Sequence, residues 1–289
     1  MTVALLVGDI EQGTSAALAK HLQGTLEAEG MDLLLYNLNH DPERLLGFLK
    51  RAPTMGLAGL VISTLDEWPS KAAAPMIRAL QRLNVTVISV SQRLACRGTA
   101  SIVLEEREAC ARSVSAMIRA GSSPIAFLGR IKGSAVGQER FQGYCDALKE
   151  AGKPVRKALV WDASYRYEAG FRALKQAITS KLSFHGVQAT SDELALGAMA
   201  AIQEEGLAIP KHIAVVGFGD LELSRHTRPA LSSVSTDSEE IAKRVAAVLQ
   251  DPPKATRTPS VCVIPRELVL RDSVRPIRKK RHASRAGDT

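Results

Sequence analysis

Aromatic side chains make up only 4% of this chain, so its core has to be built from Ala, Leu, Val and Ile. That is the composition of parallel sheets covered by helices on both faces. Cysteine is also sparse. Cys96, Cys110, Cys145 and Cys262 are scattered, with no C-x-x-C and no histidine at ligand spacing. This excludes a disulfide frame and a structural zinc site, and it reads as reduced cytosolic thiols. The opening MTVALLVGDIEQG has no basic start and no small-residue cleavage site after a long apolar run. No signal peptide or membrane span is expected, which places the chain in the cytoplasm and away from membranes.

Catalytic signatures are missing too. The segment after the first apolar run reads VGDIEQGTS, not G-x-G-x-x-G, and there is no G-x-x-x-x-G-K-[ST]. Dinucleotide and P-loop readings therefore lose the glycine-rich turn that brings backbone N–H groups onto phosphate. There is no G-x-S-x-G elbow. The six histidines have no adjacent nucleophile. The expectation is a protein that is not an enzyme and that uses no cofactor or metal. Paired acids such as Glu105–Glu106 and Glu239–Glu240 are read as solvated or as helix-dipole partners.

Charge is present but unevenly placed. The net charge is +8 over 289 residues. Arg275, Arg278, Lys279, Lys280, Arg281 and Arg285 against Asp288 give the C-terminal segment +5, leaving +3 for the body. A body so close to neutral does not read as a DNA-binding surface. The segment 274–289 has almost no apolar residues and is expected to be a disordered basic tail.

Short branched apolar runs alternate with amphipathic stretches. The runs are Val3–Val7, Leu33–Tyr36, Leu60–Ile62, Val85–Val90, Ile125–Leu128, Leu159–Trp161, Val187–Ala189 and Ile213–Phe218. Helical patterns follow caps at Thr14, Asp41 and Ser191, and another covers Ser238–Leu249. Such alternation means βαβ units and parallel sheets. It runs twice, predicting two Rossmann-like lobes joined by three crossovers, near 96–100, 231–237 and 257–263. The expected lobes are 1–97 with 237–258, and 98–235 with 259–273. The runs GLAGLVIS and APMIRALQRL are read either as core or as the faces of a homodimer.

Two facing lobes of this kind place their strand C-termini along a shared crevice. The strand ends are Asp9–Thr14, Ser63–Thr64, Ser91–Arg93, Ser134–Arg140, Asp162–Tyr165, Thr190–Asp192 and Gly217–Asp220. Hydroxyls, carboxylates, an arginine and one aromatic suit a polyol or a sugar acid.

Residues 189–244, ATSDELALGAMAAIQEEGLAIPKHIAVVGFGDLELSRHTRPALSSVSTDSEEIAKR, resemble the LacI/GalR family of transcriptional regulators and its periplasmic sugar-binding relatives. Supporting matches are IAFLGR, ERFQGYCDALKEAG and IPRELVLRDS. The resemblance implies a periplasmic-binding-protein-like effector domain, a homodimer and a small carbohydrate-like effector. It implies that DNA is contacted only through a helix-turn-helix headpiece ahead of the first strand, which this chain is expected to lack. A transport-type sugar-binding protein is the alternative. The ligand-binding residues it implies are Asp9, Thr14, Ser91, Arg140, Tyr165, Ser191, Asp192, Asp220 and Thr236. Arg140 matches an arginine that contacts ligand hydroxyls in the family, or else it is a surface residue. Tyr165 matches an aromatic that stacks on the sugar, or else it packs at a helix start. Asp192 serves the ligand or caps a helix. Ser191 stands where the family has Asn, and Gly219 where it has Asp. Losing that carboxylate while keeping Arg140 favours an anionic ligand. The G-F-G-D-L-E run is similar to the gluconate-repressor subgroup, which implies a sugar acid held mainly by Arg140.

Overall fold

The computed structural model describes residues 1–254 and 257–276. Twelve strands and nine α-helices are found among them. In chain order they are β1 (Thr2–Val7), α1 (Gly13–Ala28), β2 (Asp32–Asn37), α2 (Pro42–Arg51), β3 (Leu57–Ser63), α3 (Ser70–Arg82), β4 (Thr86–Val90) and β5 (Ala100–Leu104). The second run is α4 (Glu106–Arg119), β6 (Ile125–Leu128), α5 (Ala135–Glu150), β7 (Val160–Trp161), α6 (Tyr167–Thr179), β8 (Gly186–Ala189), α7 (Asp192–Glu204), β9 (Ala214–Gly219), α8 (Glu222–His226) and β10 (Ser232–Ser235). The chain then returns through α9 (Ser238–Gln250), β11 (Ser260–Ile264) and β12 (Leu268–Val269).

The strands form two six-stranded sheets, ordered β11-β5-β4-β3-β1-β2 and β12-β10-β9-β8-β6-β7. All pairings are parallel except β10 with β12. Both faces of each sheet are covered, and the alternation of side chains across a strand decides which face each residue serves. Val3, Leu5 and Val7 of β1 pack under α1 and α9, whereas Ala4 and Leu6 pack under α2 and α3. In the second lobe Ile125 and Phe127 meet α4 and α5, and Ala126 and Leu128 meet α6 and α7.

Helix starts follow local chemistry. The Asp41 carboxylate accepts the Glu43 amide at 2.9 Å, and Ser191 Oγ accepts the Leu194 amide at 3.2 Å. Thr14 is not a cap: α1 already starts at Gly13, after Gln12, with no side-chain cap. Helices α6 and α7 cross where Gly197 lies against the Tyr167 carbonyl and Gly170 against the Leu194 carbonyl.

Two expected second-lobe segments belong to the first sheet. β5 pairs with β4, and β11 pairs with β5. The three crossovers therefore run between β5 and α4, between β10 and α9, and between β11 and β12. The first and third lie a few residues C-terminal to the expected positions, because β5 and β11 extend the first sheet before the chain leaves it, and the second overlaps its expected position. GLAGLVIS is the central strand β3, and α3 buries Ala73, Ile77 and Leu80. The run GLAGLVIS is thus consumed by the core, whereas APMIRALQRL buries Ile77 and Leu80 and leaves Leu83 exposed. Val274, placed in the tail by sequence, is buried in the second lobe, and the segment from 277 onward lies outside the described residues. Among the described residues no helix is long and apolar enough to cross a membrane.

Candidate functional site

The C-terminal ends of both sheets face one interlobe cleft. From the first lobe it is lined by Gln12, Thr14, Ser15, Ser63, Thr64 and Ser91 among others. The second lobe supplies Arg140, Tyr165, Thr190, Ser191, Glu193, Phe218 and Gly219, and the crossovers supply Thr236 and Arg266. The wall combines hydroxyls, the Gln12 amide, the Glu193 carboxylate and two guanidinium groups with two aromatic rings and the aliphatic Leu18, Leu65, Val90, Leu104 and Ile241.

Six of the nine residues assigned from sequence line this space: Thr14, Ser91, Arg140, Tyr165, Ser191 and Thr236. Three do not. Asp192 is fully buried beneath the cleft floor. Its Oδ2 accepts the Leu221 amide and Ser224 Oγ at 2.7 Å each, and its Oδ1 accepts Ser233 Oγ at 2.5 Å. Burial pushes this carboxyl up to about 6, while the bonds from Ser233, Ser224 and Leu221 pull the other way. It organises the β9–α8–β10 region, and its full burial keeps it out of a ligand's reach. Asp220 faces Arg271 at 2.6 Å and Arg225 at 3.7 Å, outside the cleft. Asp9 is a rim residue paired with Arg166 at 2.5 Å. Arg93 is exposed and also lies outside the cleft.

The lobes meet across both rims. On one side Arg166 reaches Asp9 and Glu11, and the Gly13 amide donates to Glu193 Oε1 at 2.9 Å. On the other, Arg130 pairs with Asp66 at 2.8 Å, Ser134 Oγ donates to the Leu65 carbonyl at 2.9 Å, and the Glu67 amide donates to the Gly133 carbonyl at 3.1 Å. His40 lies between these rims, 2.6 Å from Asp66 and 3.8 Å from Asp9. This is a closed arrangement.

The cleft floor carries a charge cluster that sequence reasoning missed. Glu106, read from sequence as solvated or as a helix-dipole partner, does open α4 but is only 4% exposed. Its Oε2 accepts Arg140 Nε at 2.8 Å, and its Oε1 accepts Arg266 Nη2 at 2.7 Å. Arg266 Nη1 donates to the Ser235 carbonyl at 2.9 Å and to Thr236 Oγ1 at 2.5 Å. Glu106, Thr236 and Arg266 thus tie together all three crossovers. Burial disfavours the charged carboxylate, but Arg140 and Arg266 outweigh it and hold Glu106 below the usual range. Both guanidinium groups lie over the Phe218 ring, Arg140 at 3.9 Å from its centroid and Arg266 at 5.0 Å. Two cleft-lining residues each bury a polar atom that has no partner among the described residues, Thr190 Oγ1 and Arg266 Nε. A buried donor or acceptor left unpaired is costly, and a bound polar ligand removes the cost. The signal in the sequence was an arginine set immediately after a proline inside the apolar run VIPRELVL.

A ligand cleft at the carboxyl ends of two parallel sheets, crossed by three hinge segments, defines a two-lobed small-molecule-binding domain. Residues 114–274 match the periplasmic binding protein-like domain family. The chain belongs to that family, in the effector-domain form carried by LacI-family regulators. It is 29% identical over 226 residues to the HTH-type transcriptional regulator AscG of Escherichia coli, covering 78% of this chain and 66% of AscG. It is 26% identical over 279 residues to a probable HTH-type transcriptional repressor, ExuR of Bacillus subtilis, covering 95% and 81%. A LacI-family regulator from Sanguibacter keddieii superposes with a TM-score of 0.83 at 23% identity, covering 94% of this chain and 98% of that one. One from Enterococcus faecium with bound ribose gives 0.82 at 19% identity, covering 96% and 100%.

Proposed function

We propose that this chain is the effector-sensing module of a transcriptional regulator, and that it binds a small sugar or sugar acid between its lobes. The observation that carries this is a cleft closed between the lobes in which two lining residues, Thr190 and Arg266, each bury a polar atom without a protein partner, Oγ1 and Nε. The relatives support the regulatory setting: AscG and ExuR are named as regulators, and the Enterococcus faecium neighbour holds ribose. No catalytic step is assigned, because the acid in the cleft wall, Glu193, gives Oε1 to the Gly13 amide and no nucleophile–base pair lines the wall among the described residues. Binding to the closed form shifts the balance between open and closed lobes, and that change is what a regulator transmits to DNA. The module acts as a homodimer in the cytoplasm. Edge strand β2, which leaves Leu35 exposed, is the surface offered for pairing.

The test is a melting-temperature screen against pentoses, hexoses and their acids. A ligand that binds only the folded state raises the midpoint as its concentration exceeds Kd. No shift across the panel refutes the reading, and a monomeric mass by light scattering refutes the dimer.

A further inference from the structure

The hinge cluster contains two arginines and one carboxylate. Arg140 and Arg266 share Glu106, and no other acid bonds to either of them among the described residues. Glu193, the acid in the cleft wall, gives Oε1 to the Gly13 amide at the rim. One positive charge at the floor is therefore uncompensated. The hydrogen-bond geometry agrees with this count. Arg140 uses Nε on Glu106 and Nη1 on the Thr190 carbonyl, leaving Nη2 without a protein acceptor. Arg266 uses both terminal nitrogens and leaves Nε. Arg266 and Arg140 are 5% and 4% exposed, so water does little to screen the excess charge.

Resting on the effector-cleft reading, we propose that Arg266, Arg140 and Glu106 together select a ligand of single negative charge, with Arg266 Nε and Arg140 Nη2 holding its carboxylate and Thr190 Oγ1 an adjacent hydroxyl. The sequence reading made Arg140 the main charged contact. The structure makes Arg266 an equal partner and makes Glu106 the residue that sets how much charge the ligand must bring. With Glu106 present the cluster lacks one anion. A carboxylate supplies that, whereas a phosphate monoester carries about −1.5 to −2 near neutral pH and overfills the site. A neutral sugar leaves the excess charge unpaired in a desolvated floor.

The experiment is calorimetry at pH 7.5 with the full chain. The probes are aldonates and uronates, their neutral parent sugars, and the corresponding sugar phosphates. The variants are Arg266→Gln and Glu106→Gln, each first checked for a cooperative melt. The wild-type protein is expected to prefer a sugar acid over its neutral parent by at least about tenfold, equivalent to 1.4 kcal/mol. Arg266→Gln, which neutralises the floor, should abolish that preference. Glu106→Gln, which doubles the excess charge, should move the preference towards the phosphate. A structural role alone would weaken all three ligand classes in parallel, and that result overturns the inference. So does a wild-type preference for the neutral sugar or the phosphate. Should Arg266→Gln fail to fold, the wild-type order and the direction of the Glu106→Gln shift decide the matter. Silence from every probe refutes the effector-cleft reading and this inference with it, whereas binding without charge preference refutes the inference alone.

Discussion

Replacing Glu106 by alanine leaves two guanidinium groups, each at most 5% exposed, without their shared counter-charge. Two charge-assisted bonds of 2.8 and 2.7 Å are lost together. Removing one partner of a buried ion pair costs about 3–5 kcal/mol, chiefly because the remaining charge stays desolvated. For a chain of this size each kcal/mol lowers the melting midpoint by roughly 2–4 °C, so Glu106→Ala should melt about 6 °C lower or more. Urea denaturation and calorimetry of the full chain measure this. Arg107→Ala, which breaks an exposed pair with Asp146 at 2.6 Å, is the control and should cost under about 1 kcal/mol. The two effects also part in acid. Because Glu106 is held below the ordinary carboxylate range, its contribution is present above the unfolded-state pKa and is lost as pH falls through the lower folded value. The gap between wild type and Glu106→Ala should therefore narrow at low pH. A loss no larger than that of Arg107→Ala would refute the buried cluster.

Asp192 behaves in the opposite sense. Its folded carboxyl is pushed up to about 6 from 3.8, so the native state holds the proton more tightly and stability declines as pH rises between those values. The decline is on the order of 3 kcal/mol; denaturant midpoints at pH 4 to 7 should show it, Asp192→Asn should flatten it, and a flat wild-type profile would contradict it. Gly197→Ala should destabilise by about 1–3 kcal/mol or more, since its new Cβ would stand 2.0 Å from the Tyr167 carbonyl; an unchanged melt would show that α6 and α7 are not so close. Arg166→Ala removes the rim contacts to Asp9 and Glu11 and should shift the lobes towards opening, seen as a larger radius of gyration by small-angle scattering. An unchanged radius at low salt would show that this rim does not hold the lobes closed.

The sheet architecture could be read from the sequence because each buried parallel strand leaves a short branched run, and eight such runs were found at β1–β4 and β6–β9. β5 was missed: ASIVL runs directly into the acids Glu105 and Glu106, and charge at a strand end masks a short run. β11 and β12 are brief, and which sheet a strand joins is decided by long-range pairing that no local pattern records. For the cleft, strand ends gave the right neighbourhood, so Thr14, Ser91, Arg140, Tyr165, Ser191 and Thr236 came together. Asp192 and Asp220 went astray because strand-end position does not show which way a side chain turns. The cluster of Glu106 and Arg266 was hidden by a separation of 160 residues. Charged residues are expected at the surface, and only the meeting of the crossovers shows that these two are buried as a pair.

The claim that the space between the lobes is the ligand site can be tested by filling it. Ser63 lines the cleft at the end of β3. The ligand giving the largest melting shift is titrated calorimetrically into wild type and into Ser63→Trp, with the variant's fold confirmed by its melt. The account predicts one site per chain in the wild type and loss of binding in the variant. Undiminished binding to a folded Ser63→Trp protein would contradict it.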